Sequence, residues 1–222
     1  VIQLGENPKM VFNVGSLGID NIKNLKLLTK KELELSLNCR FNKKNILVTF
    51  HPVTLENYTA RKQFQQLLDV IENLKNTSVI FTKSNSDTGG RVINQMLDDY
   101  VSNHPKKSVG FNSLGRLRYL SALQYVDAIV GNSSSGIIEA PSFKIGTINI
   151  GDRQKGRVKS ESIIDCKPNI RSLTEGFKKL YSEDFQKKLT NLKNIYDGGN
   201  TSQRILENIK KTDYNNILKK GF

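Results

Sequence analysis

Short apolar runs alternate with longer amphipathic stretches over most of the chain. The first clear apolar run, residues 46–50, has the length of a buried strand. The stretch after it places apolar residues three and four positions apart, which predicts a helix over about residues 60–75. Strand starts recur at a spacing of roughly 20 to 30 residues, and this alternation predicts right-handed βαβ units in a parallel sheet.

The remaining predicted elements continue the same alternation. Further strands are predicted at 78–81, 108–111, 128–130 and 146–150, and further helices at 91–101, at about 114–125 and behind the turn at 131–135. Residues 1–40 are predicted to hold one short strand, at 10–14, and two helices, and helices dominate from Ser172 onward. Because no long linker or repeat interrupts the chain, residues 1–222 are interpreted as one α/β domain with a Rossmann-like parallel sheet and terminal helices.

Four polar clusters follow predicted strands directly. They are His51, the loop 83–90, the turn 131–135 and the basic glycine loop 151–157. In an open parallel sheet, ligands bind at the carboxyl ends of the strands. We therefore expect the four clusters to converge on one rim of the sheet.

The turn Gly-Asn-Ser-Ser-Ser-Gly at 131–136 has the pattern of a phosphate site. A strand that ends in small residues and opens a helix leaves backbone N–H groups unpaired, and the helix dipole adds positive charge there. Ser133 and Ser134 are the candidate phosphate ligands, although Ser is also an ordinary helix cap. Glu139, farther along the same helix, could accept two sugar hydroxyls side by side or could simply be stabilised by the helix dipole.

Three further residues are candidates for the same rim. His51 could donate to a phosphate or carry a proton, and its alternative role is that of a structural histidine at a strand end. Asn85 lies in a Gly-containing loop with Asp87, where turn formation is the alternative role. Arg153 could complete an anion site or belong to a solvated basic loop. The sequence contains no metal-binding spacing such as His-x-x-x-His.

The net charge of +13 and the pI of about 9.7 raise the question of a nucleic-acid partner. The lysines are scattered, often beside Asn, and no nucleic-acid motif accompanies them, so we expect no such partner. The charge could still attract an anionic nucleotide.

The sequence also sets expectations about location. Two distant cysteines, Cys39 and Cys166, exclude a Cys-rich zinc site and are consistent with a reducing compartment. No apolar run reaches the roughly 18 residues that a membrane span needs, and residues 1–4 do not resemble a signal peptide. We expect a cytoplasmic protein that does not bind membranes. Because the chain begins with Val1 rather than Met, we also expect it to be part of a longer protein.

Six segments closely resemble the hydrolysing UDP-N-acetylglucosamine 2-epimerases, in order and over nearly the whole chain. They are FNVGSLGIDNI at 12–22, HPVT at 51–54, SNSDTGG at 84–90, GNSSSGIIEAPSF at 131–143, NIGDRQKGR at 149–157 and YDGGNTSQRI at 196–205. The non-hydrolysing relatives typically carry His-Arg-Glu-Asn where this chain has His-Pro-Val-Thr at 51–54. That difference favours the hydrolysing branch.

The resemblance implies a GT-B fold, in which two Rossmann-like domains enclose an active-site cleft. This chain resembles the C-terminal, UDP-binding half together with the terminal helices, and we expect the N-terminal catalytic domain, which carries the acid and base carboxylates in the family, to lie outside it. The resemblance also implies roles for individual residues. Ser133 and Ser134 would contact the diphosphate, and His51 would contact it near the sugar. Glu139 would bind the ribose. Asn85 and Arg153 would help to build the site, and the backbone at 111–114, with Ser113, would recognise the uracil.

The reaction implied by the resemblance has two steps. UDP leaves in an anti elimination that removes the C2 proton, and water then adds to the resulting 2-acetamidoglucal to give N-acetylmannosamine. No metal or redox cofactor is needed, and positive groups would stabilise the charge that builds on the departing UDP. The full-length protein is expected to be a homo-oligomer, and this piece by itself is expected to be inactive.

Three alternatives stay open at this stage. The substrate could be a bacillosamine-type UDP sugar, the enzyme could be a GT-B glycosyltransferase, or the chain could be a nucleotide-binding module without catalysis. The choice of sugar is expected to depend mainly on the absent half.

Overall fold

The computed structural model describes residues 1–53, 59–85 and 89–214. The chain forms two compact units. One comprises Leu25–Asn194, and the other combines the two terminal segments, Val1–Asn24 and Ile195–Phe222. The predicted sheet belongs entirely to the first of these units.

A six-stranded parallel sheet forms the centre of the larger unit, with the order β3-β2-β1-β4-β5-β6. The five predicted strands are present, and a sixth was missed. It is a four-residue strand at the sheet edge whose exposed Asp breaks the apolar run, so the sequence pattern is too weak to reveal it. The strands are β1 Lys44–Thr49, β2 Thr77–Thr82, β3 Ser108–Phe111, β4 Ala128–Gly131, β5 Gly146–Ile150 and β6 Ile163–Cys166.

Helices connect the strands and also form most of the terminal unit. In chain order, the α-helices are α1 Leu17–Asn24, α2 Lys30–Leu37, α3 Ala60–Glu72, α4 Gly90–Asn103, α5 Gly115–Ala122, α6 Ser135–Ile138, α7 Ile170–Leu180, α8 Glu183–Thr190 and α9 Thr201–Lys211. Short 3-10 helices cover Ile2–Leu4, Pro8–Met10 and Ala140–Phe143. No helix in the described ranges is long and apolar enough to cross a membrane.

The strand predicted at residues 10–14 is wrong. Met10 ends the 3-10 helix that begins at Pro8, and the residues that follow have no regular structure. Within the described ranges, no strand pairs with this segment, so its apolar alternation alone does not produce a strand. Met10 and Phe12 are instead among the exposed apolar side chains.

The sheet is covered on both faces. Alternate strand residues such as Val48, Phe81 and Val130 pack with α3, α4 and α7 in one apolar cluster. Their neighbours point to the opposite face, because successive side chains of a strand alternate. There, α6 lies so close that a Cβ on Gly136 would come within 2.6 Å of Thr147 Cγ2. The result is a doubly wound sheet with a fully buried centre.

The order of the strands determines where a ligand can bind. Strand β1 pairs with β2 on one side and with β4 on the other, so the chain turns in opposite directions on the two sides of this point. This is the Rossmann strand order, and ligands bind outside the carboxyl ends of the strands at the point where the order reverses. The residues that follow β1 and β4 therefore occupy the position where a site is expected.

The terminal unit brings together two sequence segments that lie far apart in the chain. The Asp20 carboxylate in α1 accepts hydrogen bonds from the backbone N–H groups of Thr201 (3.0 Å) and Ser202 (2.7 Å) at the start of α9. The backbones also cross closely, because a Cβ on Gly198 would lie 2.1 Å from the Val14 carbonyl oxygen. The segments 12–22 and 196–205 are therefore joined by hydrogen bonds and by a backbone contact that leaves no room for a side chain at Gly198.

We predict that Asp20→Asn lowers the Tm at neutral pH. The N–H of Ser202, foremost among several donors, holds the pKa of the Asp20 carboxyl below its usual value. Stability from a carboxylate with a lowered pKa is present above the unfolded pKa and is lost as pH falls through the folded one. Thermal unfolding followed by circular dichroism should therefore show a difference in Tm from wild type that closes with acidification. Asp99→Asn, on an exposed position of α4, is the control, and an unchanged Tm of Asp20→Asn at pH 7 would contradict the prediction.

Candidate functional site

The side chain of Asn132 joins the ends of β1 and β4. Its Oδ1 accepts the His51 N–H at 2.8 Å, and its Nδ2 donates to the His51 carbonyl at 2.7 Å. Its own N–H donates to the Thr49 carbonyl at 3.2 Å. Asn132 is only 1% exposed, so these hydrogen bonds satisfy polar groups that water does not reach. Asn132 therefore fixes the position of the backbone that carries the His51 side chain.

Gly131 makes this contact possible. Its φ of +136° lies in a region that favours glycine, and a Cβ there would sit 1.9 Å from the Thr49 carbonyl oxygen. Only a residue without a side chain allows the two strand ends to come this close. The Gly-Asn pair at the start of the turn is thus a backbone requirement.

The loop after β5 is anchored to the same residue. The Asn132 carbonyl accepts Arg153 Nη1 at 3.1 Å and Gln154 Nε2 at 2.8 Å. Gln154 is buried, whereas Arg153 is exposed. A guanidinium group has five N–H donors, so Arg153 keeps donors for an anion while one of them fixes its position.

The neighbouring loop after β2 fixes the tautomer of His51. The Asn85 backbone N–H donates to His51 Nδ1 at 3.2 Å, and the Ser84 hydroxyl lies 3.4 Å from the same nitrogen. A ring nitrogen that accepts carries no proton, so neutral His51 is protonated at Nε2 and can donate from there. Asn85 thus contributes to the site through its backbone. The Asp87 candidate lies outside the described residues.

The serine turn is followed by a shorter helix than expected. Helix α6 has a single turn, and a 3-10 helix follows from Ala140 with Pro141 at its second position, where proline cannot continue an α-helix. The dipole of so short a helix is small, so the backbone itself must supply the binding groups. The N–H groups of Ser133 and Ser134 have no acceptor within the described part of the chain, and both residues are half-buried.

Glu139, at the end of α6, carries an unsatisfied oxygen. Its Oε2 is screened from water and has no hydrogen-bond partner among the residues described. Burial raises the pKa of this carboxyl, and the neighbouring Ser135 hydroxyl lowers it in part. A buried acceptor without a donor costs free energy, which a ligand hydroxyl could recover.

Ser113 lies at the same rim but farther away. It follows β3, which is separated from β1 by β2. Its Oγ accepts the Gly115 N–H at 3.1 Å and so helps to start α5. Next to it, the Arg118 guanidinium stacks 5.3 Å above the Phe111 ring. The structure does not bring Ser113 into contact with the other candidates within the described residues.

The structure places three of the candidates next to one another: Asn132 bonds to the His51 backbone and to the Arg153 side chain, and the Asn85 N–H bonds to the His51 ring. Asn132 and Gln154 were missed as site residues. Asn132 lies within the turn 131–136 and could have been identified from it. The sequence carries no signal that Gln154 is buried. The described ranges contain no cluster of His, Cys, Asp and Glu that could hold a metal ion.

Comparisons with known proteins identify the family to which the chain is similar. A family model described as UDP-N-acetylglucosamine 2-epimerase matches residues 1–210. A GDP/UDP-N,N'-diacetylbacillosamine 2-epimerase (hydrolyzing) from Campylobacter jejuni is 44% identical over 100% of this chain and 58% of its own length. The polysialic acid biosynthesis protein P7 from Escherichia coli is 42% identical over 83% of this chain and 47% of its own length.

Solved structures support the fold. The UDP co-structure of MnaA from S. aureus superposes with a TM-score of 0.75 at 19% identity, over 99% of this chain and 58% of that one. The expected Rossmann-like parallel sheet of the C-terminal half of a GT-B fold is thereby confirmed. The chain spans about half the length of the curated relatives that it matches.

We predict that Asn132→Ala lowers the free energy of unfolding by about 2–6 kcal/mol, because two backbone groups of His51 lose their partners at about 1–3 kcal/mol each. Urea denaturation provides the measurement. Asn73→Ala is the matched control: Asn73 also donates to a carbonyl, that of Asp69 at 2.8 Å, but at an exposed helix end. The control should change stability by less than about 0.5 kcal/mol. Equal losses in the two variants would show that Asn132 does not hold the rim.

Proposed function

Because this chain belongs to the UDP-N-acetylglucosamine 2-epimerase family, we propose that it is the nucleotide-binding half of a hydrolysing 2-epimerase that converts UDP-N-acetylglucosamine and water into N-acetylmannosamine and UDP. The observation that carries the proposal is the rim around Asn132, which gathers donors from three strand ends at the switch point of the sheet. The identity to the C. jejuni hydrolysing epimerase supports it.

The diphosphate is assigned to the donors of this rim. The N–H groups of Ser133 and Ser134 need acceptors, His51 donates from Nε2, and Arg153 adds a positive charge. Hydrogen bonds to charged oxygens are shorter and stronger than neutral ones, which suits a ligand with several negative charges. The net charge of +13 also favours the approach of an anion.

In the proposed reaction these groups act on the leaving group. The bond between C1 and the UDP oxygen breaks as the C2 proton is removed, and the bonding electrons pass to UDP while a C1–C2 double bond forms. His51 and Arg153 are placed to stabilise the growing charge on the β-phosphate. Water then adds across the double bond. Its hydroxide bonds to C1, and the new proton reaches C2 from the face opposite to the one that the first proton left. The groups that move these protons are assigned to the other half of the complete protein.

A second substrate is favoured by one observation. The C. jejuni relative, at 44% identity, is named for N,N'-diacetylbacillosamine linked to GDP or UDP. The rim is assigned to the diphosphate and the ribose, which both substrates share. It is therefore compatible with N-acetylglucosamine and with N,N'-diacetylbacillosamine. The nucleobase is assigned to the segment 111–114, where the Arg118 guanidinium lies over the Phe111 ring.

The test is an NMR product assay on the complete protein with UDP-N-acetylglucosamine, UDP-N,N'-diacetylbacillosamine and GDP-N,N'-diacetylbacillosamine in parallel. We expect N-acetylmannosamine and UDP from the first. Turnover of a bacillosamine sugar alone would select the second substrate. Release of nucleotide only when a sugar acceptor is added would instead indicate a glycosyltransferase. The chain of residues 1–222 by itself should bind UDP without forming product, since the acid and base groups are assigned elsewhere.

We predict that Glu139→Gln weakens UDP binding by about 10- to 150-fold, because a charged hydrogen bond is worth about 1.5–3 kcal/mol. Titration calorimetry measures the affinity. The same variant should raise the Tm at neutral pH: burial raises the carboxyl pKa, so ionisation costs stability as pH rises through it. Glu161→Gln, at an exposed position in the turn before β6, is the control and should change neither property. Unchanged UDP affinity in Glu139→Gln would exclude the ribose assignment.

A further inference from the structure

We propose that Tyr119 and Ser135 position the Glu139 carboxylate for the ribose, so that this pair sets the preference of the site for a ribonucleotide over a 2'-deoxyribonucleotide. The inference rests on the proposed function, in which Glu139 takes the ribose. It assigns roles to two residues that the phosphate and ribose assignments leave unused.

The three side chains form a continuous row. The Tyr119 hydroxyl, from α5, is hydrogen-bonded to the Ser135 hydroxyl at the first position of α6. Ser135 and Glu139 are four residues apart, and the Glu139 N–H donates to the Ser135 carbonyl at 2.9 Å. Residues four apart on a helix lie on the same face, which puts the Ser135 hydroxyl beside the carboxylate. The Ser135 hydroxyl partly offsets the rise that burial causes in the pKa of Glu139.

The direction of the hydrogen bonds follows from the charges. Burial, together with the nearby Glu139 charge, raises the pKa of the Tyr119 phenol, so Tyr119 stays protonated. A protonated phenol beside a serine donates to it, and the serine hydroxyl then directs its own proton to the carboxylate. Hydrogen bonds in such a chain strengthen one another. The carboxylate is thereby held in one orientation while its Oε2 remains without a donor among the described residues.

The Tyr119 hydroxyl is not needed to hold α6 in place. Thr147 Oγ1, from β5, donates to the Gly136 carbonyl at 2.7 Å, and the absence of a side chain at Gly136 lets the helix lie directly on the sheet. The bond from Tyr119 instead reaches the side chain of Ser135. Its effect therefore passes to the Ser135 hydroxyl, which lies one helical turn before Glu139.

The consequence concerns ribose hydroxyls specifically. A carboxylate can accept two neighbouring hydroxyls side by side only when its plane is correctly turned. Without the phenol, Ser135 can rotate toward other acceptors and Glu139 loses its fixed orientation. Binding of the diphosphate, which uses other residues, should not change.

The experiment compares UDP with 2'-deoxy-UDP on the complete protein by titration calorimetry. Wild type should prefer UDP. Tyr119→Phe keeps the ring and removes the hydroxyl, and we expect it to weaken UDP binding by about 2- to 10-fold, the equivalent of one neutral hydrogen bond, with little change for 2'-deoxy-UDP. Ser135→Ala should reproduce this loss of preference. It also serves as the second variant if Tyr119→Phe does not fold.

The matched control is Tyr125→Phe, whose hydroxyl donates to the Leu28 carbonyl at 3.2 Å away from the row. It should leave both affinities unchanged. Equal weakening of the two nucleotides by Tyr119→Phe would indicate a merely structural role and overturn the inference, as would an unchanged preference. Failure of wild type to bind UDP would overturn the proposed function itself, so the two failures are distinguishable.

Discussion

The paired hydrogen bonds between the Asn132 side chain and the His51 backbone are the constraint on which the candidate site depends. They join the ends of two neighbouring strands at the point where the sheet reverses its order. The carbonyl of the same residue then fixes the loop after β5 through Arg153 and Gln154. Loops that would otherwise be independent are therefore tied to one buried amide, and their donors keep fixed positions relative to the sheet.

In this arrangement, the groups that hold the backbone in place differ from the groups that are candidates to bind a ligand. Buried amide groups, those of Asn132 and Gln154, satisfy backbone carbonyls and N–H groups that water does not reach. The groups left with spare capacity among the described residues are those suited to a nucleotide: backbone N–H groups in the serine turn, a guanidinium and a carboxylate oxygen. Unsatisfied groups of this kind cost stability in the unbound protein. Their concentration at one rim is what distinguishes a binding site from an ordinary strand end.

Family membership and geometry contribute different parts of the functional argument. The family model and the relatives identify the family. The rim around Asn132 indicates which side chains of this chain are candidates to bind the nucleotide. The terminal unit has its own close packing, with Gly15 and Gly198 in direct backbone contact and Asp20 bound to the start of α9. Two of the segments that carry the family resemblance thus pack against each other within this unit.

The sequence by itself determined the class of fold and the edge of the sheet that carries the site. Alternating apolar runs and amphipathic stretches permit little besides a parallel sheet covered on both faces, and polar residues behind each strand must then share one rim. It did not reveal β6, whose edge position needs few apolar residues, and it placed a strand at residues 10–14 where no neighbouring strand pairs with it. Only the tertiary structure decided that Asn132 holds His51, 81 residues away, and that Tyr119 meets Ser135. Such contacts depend on which strands become neighbours and on how closely a helix packs on them, and periodicity along the chain carries no information about either.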